Sequence, residues 1–99
     1  MNTNCEMIRL PEARITEEGG KLQLYVDLPG VAEKDLELSL AQGLLTVRGR
    51  GREETCFERQ FRLGEELDPD SISAVLKHGV LKLEVGKRHL TRRIPVQAG

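Results

Sequence analysis

The chain has 99 residues, of which 38% are apolar and 31% charged, with no Trp and a net charge of −1. This length allows one domain with a modest two-layer core, and the apolar content is too high for a chain that is disordered throughout. The balanced charge creates no overall field that would attract nucleic acid or a membrane. No apolar run resembles a signal peptide or a membrane span, so we expect a cytoplasmic protein without nucleic-acid or membrane partners.

Cys5 and Cys56 are the two cysteines of the chain, and they are far apart without a C-x-x-C spacing. In the reducing cytosol such thiols are usually free, so we predict two reduced cysteines. His78 and His89 share no ligand spacing with either cysteine, and the sequence therefore predicts no metal site.

Alternating apolar and polar residues predict a series of short strands. Residues up to Met7 are predicted to form a mobile tail, and residues 13–17 a short edge strand. A clear strand over residues 22–28 ends at Pro29-Gly30, which stops both strands and helices. Strands at 36–40 and 45–47 then form a hairpin. A helix over 33–45 is the alternative, because Leu, Glu and Ala favour helices, but the period of two and the glycine turn argue against it.

The second half of the chain continues the same pattern. Residues 49–52 are basic and are interpreted as a flexible, solvated hairpin end rather than a phosphate or nucleic-acid contact, since aromatic residues are not interleaved with them. A strand at 57–63 and a polar loop lead to a hairpin over 71–85, where Gly79 permits the positive φ of a tight turn. Residues 88–93 are predicted to be extended. Short strands and close turns without a convincing helix predict an all-β fold, an antiparallel β-sandwich.

Four runs of sequence together resemble a known family. They are Val26-Asp27-Leu28-Pro29-Gly30-Val31, Phe57-x-Arg59-x-Phe61-x-Leu63, Ala74-Val75-Leu76-Lys77-His78-Gly79-Val80-Leu81 and Ile94-Pro95-Val96. These runs resemble the α-crystallin domain of the small heat-shock proteins, from about residue 14 to 96. His78 replaces the usual Asn or Asp of that family, and Gly64 replaces a Pro. The resemblance implies an immunoglobulin-like sandwich at 12–87, between a short N-terminal tail at 1–11 and a C-terminal extension at 88–99.

The loop between Val47 and Phe57 departs from the family pattern, because bacterial, archaeal and plant members carry there a longer segment that swaps into a partner. The residues from Arg48 to Phe57 span about 30 Å when extended, and a hairpin halves that reach. A swapped dimer is therefore not expected. An edge-to-edge dimer through residues 56–63, as in the animal branch, and a monomer both stay open.

The resemblance implies a holding chaperone that works without ATP and binds unfolding client proteins through an apolar groove and open strand edges. It implies three sets of site residues. The groove would comprise Leu36, Leu38, Leu40, Ile72, Ala74 and Leu76, the C-terminal anchor Ile94, Pro95 and Val96, and the dimer interface Arg59, Cys56 and Phe57. The anchor would plug the groove, more readily that of another copy, and self-association would give a dimer or a small oligomer.

The alternative is a co-chaperone or protein-interaction module similar to the CS domain, which shares this sandwich and lacks the long loop. Such domains do not end in Ile-x-Val, and this chain lacks their Trp-containing features. We do not expect an enzyme, because Ser39, Ser71 and Ser73 have no His and acidic orienter at a catalytic spacing. The sequence predicts no catalytic residue and no cofactor.

Overall fold

The computed structural model describes residues 5–88 and 94–99, so the predicted extended segment 88–93 lies, from residue 89 onward, outside the described residues. Eight strands form within the described part of the chain, in two four-stranded sheets. They are β1 (Met7–Arg9), β2 (Ala13–Glu18), β3 (Lys21–Asp27), β4 (Leu36–Ala41), β5 (Leu44–Arg50), β6 (Thr55–Arg62), β7 (Ser73–Lys77) and β8 (Val80–Gly86). Over residues 5–88 and 94–99, no helix has the length and apolar character of a membrane span.

The two sheets follow the orders β1-β6-β5-β4 and β2-β3-β8-β7, here called the first and the second sheet. β1 runs parallel to β6, and the other neighbouring strands are antiparallel. Each sheet buries one face against the other, as period-two strands require. The predicted all-β sandwich is confirmed.

The predicted strands appear as β2 to β8, and their ends differ from the prediction by a few residues at most. The leucines of residues 36–40 lie in β4 rather than in a helix, because the turn at Gln42-Gly43 pairs β4 with β5. Gln42 and Gly43 have φ of 51° and 77°, and His78 and Gly79 have φ of 50° and 75°. Positive φ at both central residues matches the twist of two-residue hairpins, which explains the glycine at each second position.

The core is aliphatic with two aromatic rings, in agreement with the composition. Its buried cluster consists of Leu24, Val26, Leu28, Val31, Leu45, Val47, Phe57, Phe61, Leu81 and Leu83. Leu24 of β3 and Leu83 of β8 are cross-strand partners in the middle of the second sheet, and both side chains belong to this cluster. Burying each Leu or Val fully contributes about 1.5–3 kcal/mol, so this cluster is the main stabilising element of the fold.

The basic stretch predicted to be a flexible hairpin end is partly structured. Gly49 and Arg50 belong to β5, and Gly49 is buried beneath Val31. A Cβ at Gly49 would lie 3.1 Å from both Cγ atoms of Val31, so this glycine permits close packing rather than flexibility. The expectation was wrong for these two residues because the glycine serves packing inside a strand.

The N-terminal segment differs most from the prediction. Met7, assigned to a mobile tail, begins β1, and Ile8 pairs in register with Cys56. This pairing brings Cys5 beside Cys56, with 5.6 Å between their Cα atoms, and the two form a disulfide. The prediction of two free, reduced thiols is therefore wrong. The disulfide could not be predicted from sequence because the two cysteines are 51 positions apart, and only the pairing of β1 with β6 brings them together.

Candidate functional site

One side of the sandwich is bounded by β4 of the first sheet and β7 of the second, the final strands of their sheet orders. Leu38 lies opposite the buried Val47, and Leu76 lies opposite the buried Leu81. Directly opposed residues of neighbouring strands share a face, so both edge strands turn apolar side chains inward. Both side chains therefore lie on the faces of the two sheets that pack together.

The six residues predicted for a groove lie on β4, on β7 and directly before β7, and this set is called the β4–β7 groove: Leu36, Leu38, Leu40, Ile72, Ala74 and Leu76. Four of them, all except Leu40 and Ala74, are partly buried and pack against the core. Leu40 is 38% exposed, and Ala74 is exposed. These six residues thus continue the core toward solvent, and Leu40 is the most exposed large side chain among them.

An open cavity of about 650 Å³ adjoins the Leu40 end of the groove. Leu63, Leu67 and Pro69 give it apolar walls, and Arg88 lines its rim. The Arg88 Nε donates a hydrogen bond of 3.0 Å to the Leu67 carbonyl, and its backbone N–H donates one of 2.7 Å to the Glu66 carbonyl. The C-terminal extension therefore leaves the sandwich beside the accessible end of the groove.

The predicted anchor does not touch this groove in its own chain. Ile94 is 80% exposed and Val96 is 91% exposed. Both are β-branched apolar side chains, and Pro95 between them fixes its own φ. Solvent exposure of two such residues leaves their apolar area available to another surface.

The three residues predicted for a dimer interface lie on β6, but in different surroundings. Phe57 is buried in the core, and Cys56 is tied to Cys5 by the disulfide. The β1 strand pairs with Thr55, Cys56 and Phe57, so this part of the β6 edge is covered by the chain itself. The open part of the edge begins at Glu58.

Arg59 lies at this edge with its side chain on the inner face, since it opposes Val47 of β5. Its Nη1 donates a hydrogen bond of 2.8 Å to the Pro11 carbonyl, and its guanidinium carbon lies 5.5 Å from the centre of the Phe61 ring. The cation therefore closes the β1–β2 side of the sandwich and holds the segment that joins these strands. An inward-pointing charge is one way in which edge strands avoid uncontrolled pairing.

Lys87 is the one group of the described residues with a resolved pKa shift. Its ammonium donates a hydrogen bond to the Glu17 carboxylate, and this contact raises the pKa of Lys87 above its ordinary value. The pair joins the end of β2 to the residue after β8. Because both side chains are about half exposed, solvent screens the pair, and it contributes little to stability.

Sequence reasoning missed the disulfide and the main-chain hydrogen bonds that hold the N-terminal segment to β6. The even number of cysteines was a signal for a disulfide, but the expectation of a cytosolic location outweighed it. The contact between Arg59 and Pro11 could not be found from sequence, because its acceptor is a main-chain carbonyl that carries no residue signature.

Comparison with known proteins decides the family, since the Hsp20/alpha crystallin family model matches residues 14–97. The chain belongs to the Hsp20/alpha crystallin family. Its members are small heat-shock chaperones rather than enzymes, and they oligomerise and bind unfolding proteins. The resemblance drawn from the four sequence runs is thereby confirmed, and so is the α-crystallin type of the sandwich.

Individual relatives agree with this family assignment. A probable 15 kDa heat shock protein of Leptospira interrogans is 33% identical, over 97% of this chain and 86% of its own length. A small heat-shock protein from Xylella fastidiosa, whose crystal structure reveals a distinct high order structure, superposes with a TM-score of 0.80. It is 32% identical, over 92% of this chain and 97% of the other. The hspA of Xanthomonas axonopodis gives a TM-score of 0.72 at 30% identity, covering 81% and 95% of the two chains.

Proposed function

We propose that this family member is an ATP-independent holding chaperone whose β4–β7 groove covers apolar segments of unfolding proteins. The observation that carries the proposal is that leucines on two edge strands, β4 and β7, pack against the core and stay only partly buried. An extended client segment could bury side chains against Leu40 and its neighbours. It could also add main-chain hydrogen bonds to an edge strand.

The proposal includes binding without strong selection among clients. A groove lined by leucine, isoleucine and alanine offers apolar area but few directional groups, so many apolar sequences fit it. A module that recognises a single partner would need more polar groups at fixed positions. Membership of a chaperone family and the Ile-Pro-Val run both favour the holding chaperone over a CS-like interaction module.

The anchor extends the same proposal to self-association. Ile94 and Val96 would dock into the β4–β7 groove of another copy, between Leu38/Leu40 and Ile72/Leu76. From Arg88 to Ile94 the chain can span about 20 Å when extended, enough to reach a neighbouring molecule. Burial of the two side chains would contribute about 3–5 kcal/mol before ordering costs, which suits a contact that clients can displace.

The dimer interface predicted at Arg59, Cys56 and Phe57 also belongs to this proposal. The open part of the β6 edge, Glu58–Arg62, offers unpaired main-chain groups to a second copy. Cys56 and Phe57 could join such an interface only after β1 has left them. The β6 edge and the β4–β7 groove lie on opposite sides of the sandwich, so edge pairing and docking of the anchor can operate independently.

The test compares two variants that add one negative charge to β4. We expect the unmodified protein to delay heat-induced light scattering by several unrelated model proteins without nucleotide. Leu40→Glu should weaken this protection because it places a carboxylate in the groove. Ser39→Glu is the matched control, since Ser39 is exposed and faces the other side of the same strand.

Circular dichroism would establish that both variants keep the fold of the parent. Equal protection by Leu40→Glu and Ser39→Glu would remove the groove from the mechanism. No protection of any model protein by the parent, at several-fold molar excess, would overturn the holding function itself.

A further inference from the structure

The segment from Cys5 to Leu10 is held to the sandwich by few non-covalent contacts. β1 contains only three residues, and Met7, Ile8 and Leu10 are 48%, 71% and 71% exposed. Beyond the strand register, the backbone N–H groups of Glu6 and Met7 share one acceptor, the Glu54 carbonyl, at 3.0 and 3.4 Å. So little buried apolar area does not offset the entropy lost when six residues become ordered.

The Cys5–Cys56 disulfide supplies the missing constraint. It joins the start of this segment to β6 and raises the effective concentration at which β1 meets its partner strand. The other end is fixed independently of the disulfide. Pro11 is buried and its carbonyl accepts the Arg59 hydrogen bond, while the Glu12 carbonyl accepts one of 2.9 Å from the Asp27 N–H. Loss of the disulfide would therefore free residues up to Leu10 and leave β2 in place.

The edge of β6, the strand that pairs with β1, is suited to pair with a second copy of the chain. With β1 absent, the edge of β6 is continuous from Thr55 to Arg62. Antiparallel pairing of two such edges, centred on Gln60, places Glu58 opposite Arg62 of the second copy on both sides of the axis. In this register residues 63–65 of the second copy fall beside Thr55–Phe57, the positions that β1 covers, so β1 must leave before the two edges meet. One carboxylate oxygen of Glu58 accepts a 2.7 Å hydrogen bond from Arg48, and its second oxygen can accept from that Arg62. The same register sets Arg59 opposite Phe61, a favourable cation–π combination.

We propose that Cys5–Cys56 is a thiol–disulfide switch that controls access to the β6 edge. In the oxidised protein the disulfide keeps β1 paired with Thr55–Phe57. Reduction releases residues 5–10, and the β6 edges of two copies then pair through Glu58–Arg62. This inference rests on the dimer interface within the proposed function and adds its regulation. A cytosolic disulfide is more often redox-sensing than structural, which agrees with the cytoplasmic location expected from the sequence.

The reductant is a dithiol. One of its thiolates attacks a sulfur of the Cys5–Cys56 bond and forms a mixed disulfide, and its second thiol resolves this intermediate. Two electrons and two protons pass to the protein, which gains two thiols, and the dithiol becomes a disulfide. Access is provided by an open cavity of about 590 Å³, whose walls include Cys5, Cys56 and Ile8.

Hydrogen exchange measures release of the segment directly. The full chain would be studied oxidised, reduced with dithiothreitol, and as the Cys5→Ser/Cys56→Ser variant. In the reduced protein and the variant, we expect amide exchange in peptides covering residues 5–10 to accelerate at least about tenfold. Peptides covering β8 should exchange alike in all three samples, which shows that the sandwich persists. Equal exchange of residues 5–10 in all three would overturn the switch.

Sedimentation velocity tests whether a second copy of the chain binds the β6 edge. The measurement uses the Ile94→Ala/Val96→Ala background, so that the C-terminal anchor does not contribute to mass. We expect monomer when oxidised and dimer when reduced, with the serine variant dimeric under both conditions. The Glu58→Arg change in the serine variant should abolish the dimer by opposing two arginines.

Release of residues 5–10 without a change in mass would overturn the assignment of a second copy. Client protection is measured separately, so failure of the holding function would leave this result interpretable.

Discussion

At the scale of single residues, the turn between β5 and β6 contains an unusual pair. Glu53 and Glu54 have φ of 54° and 58°, in the left-handed region that favours glycine. The Thr55 N–H donates a hydrogen bond of 3.1 Å to the Arg52 carbonyl, which closes the turn. The other two-residue hairpin turns of this protein carry glycine at the second position, whereas here a Cβ is accommodated twice.

Replacing this pair by Asn-Gly should stabilise the protein. Left-handed backbone costs an ordinary residue about 1–2 kcal/mol, and the greater freedom of glycine in the unfolded chain offsets part of the gain. We expect Glu53→Asn/Glu54→Gly to raise the free energy of unfolding by about 1 kcal/mol. Urea denaturation with the disulfide intact would measure this change.

The control for this prediction is Glu53→Gln/Glu54→Gln, which removes both charges but keeps both Cβ atoms. It should leave the urea midpoint nearly unchanged if backbone strain is the cause. A gain as large as that of Asn-Gly would instead assign the effect to repulsion between the two carboxylates.

At the scale of elements, period-two alternation was sufficient to predict seven of the strands in the described residues. It was most informative for β3, β4, β5, β6 and β8, where alternate residues are partly or fully buried against the other sheet; β2 and β7 are exposed along most of their length. β1 escaped prediction because its three residues are exposed on both faces and carry no such pattern. Its position depends on main-chain pairing and a disulfide, which arise only when distant parts of the chain meet.

The family resemblance names the groove residues as a set, but it does not give the burial of each one. Leu36, Leu38 and Leu40 alternate identically in the sequence, yet only Leu40 counts as exposed. The difference depends on how closely the loops and the opposite sheet cover each end of β4, which is a property of packing. The family resemblance predicts where the groove lies, and the structure gives the exposure of each of its residues.

A central strand and an edge strand should respond differently to the same truncation. Leu83 of β8 is fully buried between β3 and β7, so Leu83→Ala should lower the free energy of unfolding by about 3 kcal/mol. Leu76 of β7 is only partly buried, and Leu76→Ala should cost less than half as much. Urea midpoints of the two variants, measured in parallel, provide the test. Equal losses would mean that β7 is core and that the groove contributes no accessible surface there.

At the scale of the whole molecule, the two sides of the sandwich are treated differently. On the β4–β7 side, apolar residues of both edge strands are only partly buried, whereas the β1–β2 side is closed by a strand, a disulfide and Arg59. The short β5–β6 turn adds no segment that could swap into a partner. We therefore expect contacts between copies to use the C-terminal anchor or the β6 edge.

The anchor makes a prediction about mass. In the oxidised protein, where β1 covers part of the β6 edge, we expect small species whose average mass rises with concentration. Ile94→Ala/Val96→Ala should lower that average, because it removes most of the apolar area that docks. Gln97→Ala, at a neighbouring exposed residue, is the control and should behave as the parent. Ultracentrifugation showing the same mass for parent and double variant would exclude the anchor from assembly.

The sheet topology also dictates the order in which the fold can be completed during synthesis. β4, β5 and β6 are consecutive, so a growing chain can pair them as soon as residue 62 is available. The second sheet is interrupted, because β3 must wait for β8, and Leu24 and Val26 stay without their partners Leu83 and Leu81 until then. Closing such a distant pair is slow compared with forming a hairpin. A newly made copy thus passes through a stage in which its own apolar strand is uncovered, the condition in which other proteins become clients of this family.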